Sequence, residues 1–248
     1  MQKATRKQTE ETVQIADFSR PITTVEVVIF TVLEDRLCVL QVQRPTTSEE
    51  PYPGLWALPG GFVNIEKDHS LLDCAKRKLK EKTGITSPYL EQLGSWGDDK
   101  RDPRGWSATH VFFALIPSSL ITLEKGANAA NIGWFEIIGE KVKQRLAFDH
   151  QEILRTAILR MRSKAEYTSL PVYLLPEEFT LSELQRTYEI VLGRPVEKSA
   201  FRTRVLKADL VKEANGMREG SNRPAQLYCL QKPEKLVYFP RTFNPQKD

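Results

Sequence analysis

The chain has 248 residues, 40% of them hydrophobic and 27% charged, which suits one or two globular domains with a proper core. No apolar run approaches the roughly 18 residues of a membrane span. Three scattered cysteines without CxxC spacing and three isolated histidines argue against a disulfide framework or a zinc site. The net charge of +4 is unevenly placed: Arg194 to Arg241 holds eleven Lys/Arg against five Asp/Glu, a basic module on a near-neutral body. Such an asymmetry points toward nucleic acid.

Residues 1–20 are polar and lack the apolar core of a signal peptide, so they read as an arm on a cytoplasmic protein with reduced thiols. TTVEVVIFTV (23–32) and LCVLQVQR (37–44) are β-branched apolar runs about the polar turn Glu34-Asp35-Arg36, the pattern of a hairpin. A Pro/Gly-punctuated loop, TTSEEPYPGLWALPGG, leads to Phe62. From Ser70 the spacing of Leu71, Leu72, Ala75 and Leu79 is helical, and Gly84 stands where a helix C-cap belongs. LEQLGSW (90–96), SATHVFFALI (107–116) and NIGWFEI (131–137) are further strand candidates. HQEILRTAILRMRSKAEY (150–167) reads as a long amphipathic helix with Ile153, Ala157, Ile158 and Met161 on one stripe. SLPVYLLPEEF then breaks the periodicity with two prolines, and a domain boundary is placed there.

The C-terminal region opens with FTLSELQRTYEIVLG (179–193), where Thr180 and Glu183 make a capping box and Gly193 stops the helix. After the turn RPVEK, SAFRTRVLKADLV (199–211) starts a second helix, with Ser199 as its expected N-cap and Phe201, Val205 and Ala208 as its apolar stripe. LVKEAN, the turn region GMREGSNRP and AQLYCLQ read as a two-stranded wing. Helix, short turn, helix and wing form the arrangement that enters a DNA groove. Ser199, Arg202, Thr203, Arg204 and Lys207 are the expected helix contacts, and Arg218 and Arg223 the wing contacts. A basic helix taken alone is more often a solvated face. It is the order of the features that carries the DNA reading.

The stretch KRKLKEKTGI (76–85) sets five basic residues against the single acid Glu81. With the glycine turn before it, GGFVNIEKDHSLLDCAKRKLKEKTGI (60–85) resembles the Nudix box, whose glutamates hold Mg²⁺ for hydrolysis of nucleoside diphosphate derivatives. Arg77, Leu79, Glu81, Gly84 and Ile85 match, but Lys78 and Lys82 stand at two glutamate positions. They are four residues apart and share a helix face. The stretch from Gly61 to Arg77 is two residues longer than the consensus, leaving Glu66 and Asp68 only near the first glutamate's place. Hard Mg²⁺ takes carboxylate oxygens, so metal-dependent hydrolysis is expected to be lost or very weak, and no metal is required. A lysine can itself meet phosphate as a point charge. Lys76 and Lys80 read as the solvated side of the same helix.

GDDKRDPRGWSATHVFF (97–113) resembles the RDPRG loop of the Nudix branch that handles ADP-ribose or is regulated by it. There Arg101 and Arg104 are expected to fork onto phosphate and Asp102 to accept from ribose hydroxyls. Arg44, at the end of its strand beside the glycine loop, completes the expected ligand set with Lys78 and Lys82.

A degenerate Nudix domain joined to a winged helix resembles the NrtR family of Nudix-related regulators of NAD metabolism. WALPGGFV, RKLKEKTG, RDPRGW, AFDH (147–150), FTLSELQ and RPAQLY (223–228) carry the resemblance. It implies an α+β chain: a Nudix α/β/α sandwich with a mixed sheet, followed by a winged helix-turn-helix. The expected layout is an arm at 1–20, a ligand-sensing domain at 21–149, a connecting helix and linker at 150–170 and a DNA-binding domain at 171–248. The implied protein is a homodimeric, cytoplasmic repressor of NAD-metabolism genes. Its partners are double-stranded operator DNA and a nucleotide effector, ADP-ribose or a related NAD-derived molecule. An active ADP-ribose or nucleoside-diphosphate-sugar pyrophosphatase with an accessory domain is the alternative, and a nucleotide-dependent protein-interaction module a third reading.

Overall fold

The computed structural model describes residues 20–47, 49–85, 89–121, 130–219 and 224–239. Its first strands, β1 (Ile22–Leu33) and β2 (Arg36–Gln43), form the expected hairpin. The turn is tighter than the sequence suggests: Glu34 and Asp35 alone make it, at φ 48° and 59°, and Arg36 already belongs to β2. Positive φ at both central positions matches the twist of the paired strands.

The remaining strands of this sheet are β3 (Trp56–Ala57), β4 (Gly60–Phe62), β5 (Tyr89–Asp98), β6 (Ser107–Leu115) and β7 (Asn131–Glu136). The order is β3-β2-β1-β6-β5, with β4 paired to β1 and β7 to β2. Among the paired strands of the described residues, only the central β1–β6 pair is parallel, so the sheet is mixed.

Side chains alternate across β1 because successive residues of a strand point to opposite faces. Val25, Val27 and Ile29 pack under α1 (Leu71–Thr83) with Cys74, Ala75 and Leu79. Val28 and Phe30 pack under α2 (His150–Ala165) with Ile153, Ala157, Ile158 and Met161. Two helices on opposite faces of one sheet make the expected α/β/α sandwich. Helix α1 starts at Ser70, whose side chain accepts from Asp73 N, and ends at Gly84 with φ 71°, as its sequence signals dictate.

The segment at the expected domain boundary is buried. Residues Leu170–Leu174 form a 3-10 helix whose Leu170 and Leu174 enter the core beneath α2, while Val172 enters the next core. That core, with Phe179, Leu184, Tyr188, Phe201, Val205, Leu210 and Phe239, belongs to the C-terminal unit. The unit comprises α3 (Leu181–Leu192), α4 (Lys198–Lys207) and the wing β8 (Val211–Arg218) with β9 (Ala225–Leu230). Phe179 and Tyr228 exchange backbone hydrogen bonds at 2.9 and 2.7 Å, tying the wing to the entry of α3. Among the described residues, no helix is long and apolar enough to cross a membrane.

Candidate functional site

A cleft of about 720 Å³ opens where the glycine turn of β4 meets α1 and the 101–105 turn, and every expected ligand residue lines it. Lys78 and Lys82 project from α1 into this cleft, whereas Lys76 and Lys80 are exposed, so the basic run divides by face as its spacing requires. Gly61 sits at φ 138°, and a Cβ there would stand 3.1 Å from Lys78 Nζ. Only glycine allows the turn and the ammonium to lie so close. Burial draws the Lys82 pKa below the usual lysine value, with the Lys78 charge adding to the effect and Glu81 opposing it.

Two of the carboxylates nearest a dication's place, Asp68 and Glu81, are engaged elsewhere, while Glu66 lines the cleft. Asp68 takes a two-pronged grip from Arg77, Nε to Oδ1 at 2.7 Å and Nη2 to Oδ2 at 2.6 Å, and also accepts from Asn64 N. The Arg77 hydrogen bonds hold Asp68 well below the usual carboxylate range. Glu81 pairs with the same Arg77 at 3.0 Å and lies 3.9 Å from Lys78 Nζ. Among the described residues, no group of three or more His, Cys, Asp or Glu is arranged to hold a metal. Two ammonium groups beside committed carboxylates are a poor fit to Mg²⁺.

In the 101–105 turn the expected ligand residues also hold one another and α2. Arg101 is 8% exposed, and its fork grips Asp149 at the head of α2 with two 2.9 Å bonds. It cannot offer that fork to phosphate without breaking a buried pair; it fixes the turn instead. Asp102, 4% exposed, accepts from Arg104 N, Nε and Nη2 and so braces Arg104. Arg104, braced in this way, extends over the Phe62 ring at 5.5 Å. Arg44 is held by Glu50 at 2.7 Å and by Pro51 O, above the Phe148 ring at 4.9 Å.

The second candidate surface is the outer side of α4. Ser199, Thr203 and Lys207 recur every four residues and are exposed opposite buried Phe201 and Val205. Ser199 is not the N-cap. Glu197 holds that place, its carboxylate accepting from Ser199 N at 2.8 Å and Ala200 N at 2.5 Å. A negative charge suits a helix N-terminus. Arg202 is half-buried, its Nε without a partner among the described residues, so it stands apart from the exposed ridge. Arg204 lies over the Phe239 ring at 4.8 Å. Arg218 donates to Glu178 O and pairs with Glu183, bracing the wing against α3. Arg223 lies outside the described residues.

The chain matches two families: the NUDIX domain over residues 22–157 and the NrtR DNA-binding winged helix domain over residues 171–230. It is 44% identical over 228 residues to the ADPR responsive transcriptional repressor NtrR of Acinetobacter baylyi, covering 92% of this chain and 89% of that protein. The chain belongs to the NrtR family. Shewanella oneidensis NrtR, in its crystal structure with a 27mer DNA, superposes with a TM-score of 0.77 at 41% identity, covering 86% of this chain and 94% of that one. The Nudix domain of Shewanella oneidensis NrtR, in complex with ADP ribose, matches with a TM-score of 0.53 at 36% identity, covering 62% of this chain and 99% of that one.

Three cleft residues of this NrtR-family chain have no role assigned from the sequence: Glu26, and Phe148 and His150 of the AFDH stretch. Phe148 adopts φ 53°, a strained value for a bulky side chain, and meets Tyr52, itself at φ 56°, edge to face at 4.7 Å. His150 is buried, and its Nδ1 accepts from Leu58 N at 2.9 Å. Burial draws its pKa down to about 4, so the ring is neutral at physiological pH. Glu26 had one visible signal, an acid inside the apolar run TTVEVVIF.

Proposed function

We propose that this chain is a DNA-binding transcriptional repressor of NAD-metabolism genes. Its Nudix cleft holds ADP-ribose or a related NAD-derived nucleotide without hydrolysing it, and that nucleotide modulates operator binding. The observation that carries the reading is the pair of ammonium groups, Lys78 and Lys82, facing the cleft where metal-binding acids would sit. They supply the diphosphate's countercharge but no activated water, which in Nudix chemistry requires a metal. Arg104 and Arg44 complete a cationic wall, while Arg101 and Asp102 position it. No metal cofactor enters this scheme.

The relatives named above include a repressor responsive to ADP-ribose and a structure bound to DNA, which supports both halves of the reading. On the DNA side, Ser199, Thr203 and Lys207 face the major groove in this reading, with Arg204 and Arg218 at its flanks. Two copies of the chain would present two such ridges to half-sites one helical turn apart. A protein of this kind works in the cytoplasm.

The cleft and α4 are joined through α2. Its head carries Asp149 and His150, which hold Arg101 and Leu58 of the cleft. Near its other end, Arg162 Nε donates to Val191 O of α3 at 3.1 Å. Arg186 of α3 reaches back to Asp35 of the hairpin turn at 3.5 Å. Ligand in the cleft would act on DNA affinity through these contacts.

A gel-shift series on the chain's own upstream DNA, with and without ADP-ribose, tests the proposal. The expected result is a retarded band whose midpoint moves with ADP-ribose, and no release of AMP when Mg²⁺ is added. AMP appearing at an ordinary enzymatic rate would replace this reading with the pyrophosphatase. A basic domain indifferent to duplex DNA would replace it with the interaction module.

A further inference from the structure

Helix α4 keeps one large apolar side chain outside the core that its other face builds. Phe201 and Val205 point inward, 5% and 0% exposed, while Leu206 follows Val205 by one residue and stands 50% exposed. At about 100° per residue, that single step carries the side chain off the packed stripe and onto the outer face. There Leu206 lies three residues beyond Thr203 and seven beyond Ser199, spacings that place side chains in one row. Both of those residues are exposed as well.

A lone exposed leucine is ordinary; the setting of this one gives it a partner. The row from Ser199 to Leu206 is about 10 Å long, the height of about three base pairs. Lys198, Arg204 and Lys207 are exposed around it. A second copy of the chain brought to this face would set those cations against their own kind, whereas a duplex would meet them with phosphates. A leucine has no donor or acceptor to offer the base edges on the floor of a major groove. The apolar group displayed there is the C5 methyl of thymine.

We propose that Leu206 selects thymine in the operator by covering its C5 methyl group. The inference rests on the DNA reading above and adds to it a base preference carried by one residue. Contacts on α4 then divide by chemistry. Lys207 and the cations near it meet phosphate and hold the helix in register without regard to sequence. Leu206 discriminates. A cytosine in the thymine's place would offer an amino donor and no methyl, and the leucine would take water from that donor without replacing the hydrogen bond.

Deoxyuridine pairs as thymine does and differs from it by the C5 methyl alone. Anisotropy titration of the full chain therefore compares the upstream duplex of the gel-shift series with the same duplex carrying deoxyuridine for every thymine. The uridine duplex is expected to bind more weakly, by about fourfold for each methyl that Leu206 covers. Restoring thymines one at a time should locate the position. Leu206→Ala is expected to bring the two duplexes close to equal affinity. It should leave the slope of log K against log salt unchanged, because no phosphate contact is removed.

A thymine preference that survives in Leu206→Ala overturns the assignment, and so does wild type binding both duplexes equally. The wild-type comparison decides even where the variant folds poorly. A duplex of unrelated sequence is expected to show no loss on the same replacement; an equal loss there would trace the effect to the stiffness of the duplex and also overturn the assignment. Wild type binding neither upstream duplex removes the DNA reading itself.

Discussion

Arg101 illustrates how a residue can sit in a binding cleft and yet act by holding other residues in place. Its guanidinium and the Asp149 carboxylate are 5% and 19% exposed, and the pair fastens the 101–105 turn to the head of α2. Removing one partner strands the other charge in a poorly solvated place. Arg101→Ala is therefore expected to lower unfolding free energy by about 3–5 kcal/mol, read from denaturant midpoints, a loss too large for a mere ligand contact. The motif RDPRG was legible in the sequence; this role was not, because Asp149 is 48 residues away along the chain. Two other buried groups set opposing pH trends. Between pH 4.5 and 7 the folded chain keeps a proton on Glu26 that the unfolded chain has lost, so Glu26 makes stability fall as pH rises. Between pH 4 and 6.5 the unfolded chain holds a proton on His150 that the folded chain refuses, so His150 makes stability rise with pH. Glu26→Gln removes only the first trend. Its stability relative to wild type should thus grow by roughly 3 kcal/mol from pH 4.5 to 7, measurable by thermal or urea unfolding across that range.

At the scale of elements, local signals decide most of the outcome. The capping box at Thr180 and Glu183 forms as written, with Glu183 N to Thr180 Oγ1 at 3.1 Å and Thr180 N to Glu183 Oε2 at 2.7 Å. The 3.6-residue spacing of α1, α2 and α3 and the alternation of β1 are equally plain, because each element buries one face against one partner. Helix α4 begins two residues earlier than its serine suggests. A glutamate is an unusual cap, and nothing before the fold shows that its side chain turns back onto Ser199 and Ala200. The buried 3-10 segment was also hidden, since two prolines read as a break whether a linker is exposed or packed. Of the α4 ridge, Lys207 is exposed and is not itself ion-paired among the described residues, which fits a phosphate contact. Lys207→Ala is expected to reduce the slope of log K against log salt by about one unit without altering ADP-ribose affinity. Fluorescence anisotropy at several salt concentrations checks it; an unchanged slope would take Lys207 off the DNA face.

For the whole molecule, two binding functions share one folded body. Any effect of ADP-ribose on operator affinity must equal the effect of operator on ADP-ribose affinity, with a coupling of about 1–3 kcal/mol as the usual range. Calorimetry of ADP-ribose with free and DNA-bound protein should return the same factor as anisotropy of DNA with and without ADP-ribose. Factors that disagree would mean that the two ligands do not act through one equilibrium. Helix α2 bears on how such coupling would travel. Its 16 residues make it about 24 Å long, and its inner stripe of Ile153, Leu154, Ala157, Ile158 and Met161 is sealed from water. A girder of this kind transmits displacement without melting. Its central amides should exchange with deuterium among the slowest in the chain whether or not nucleotide is present, and the change on loading should be confined to its two ends.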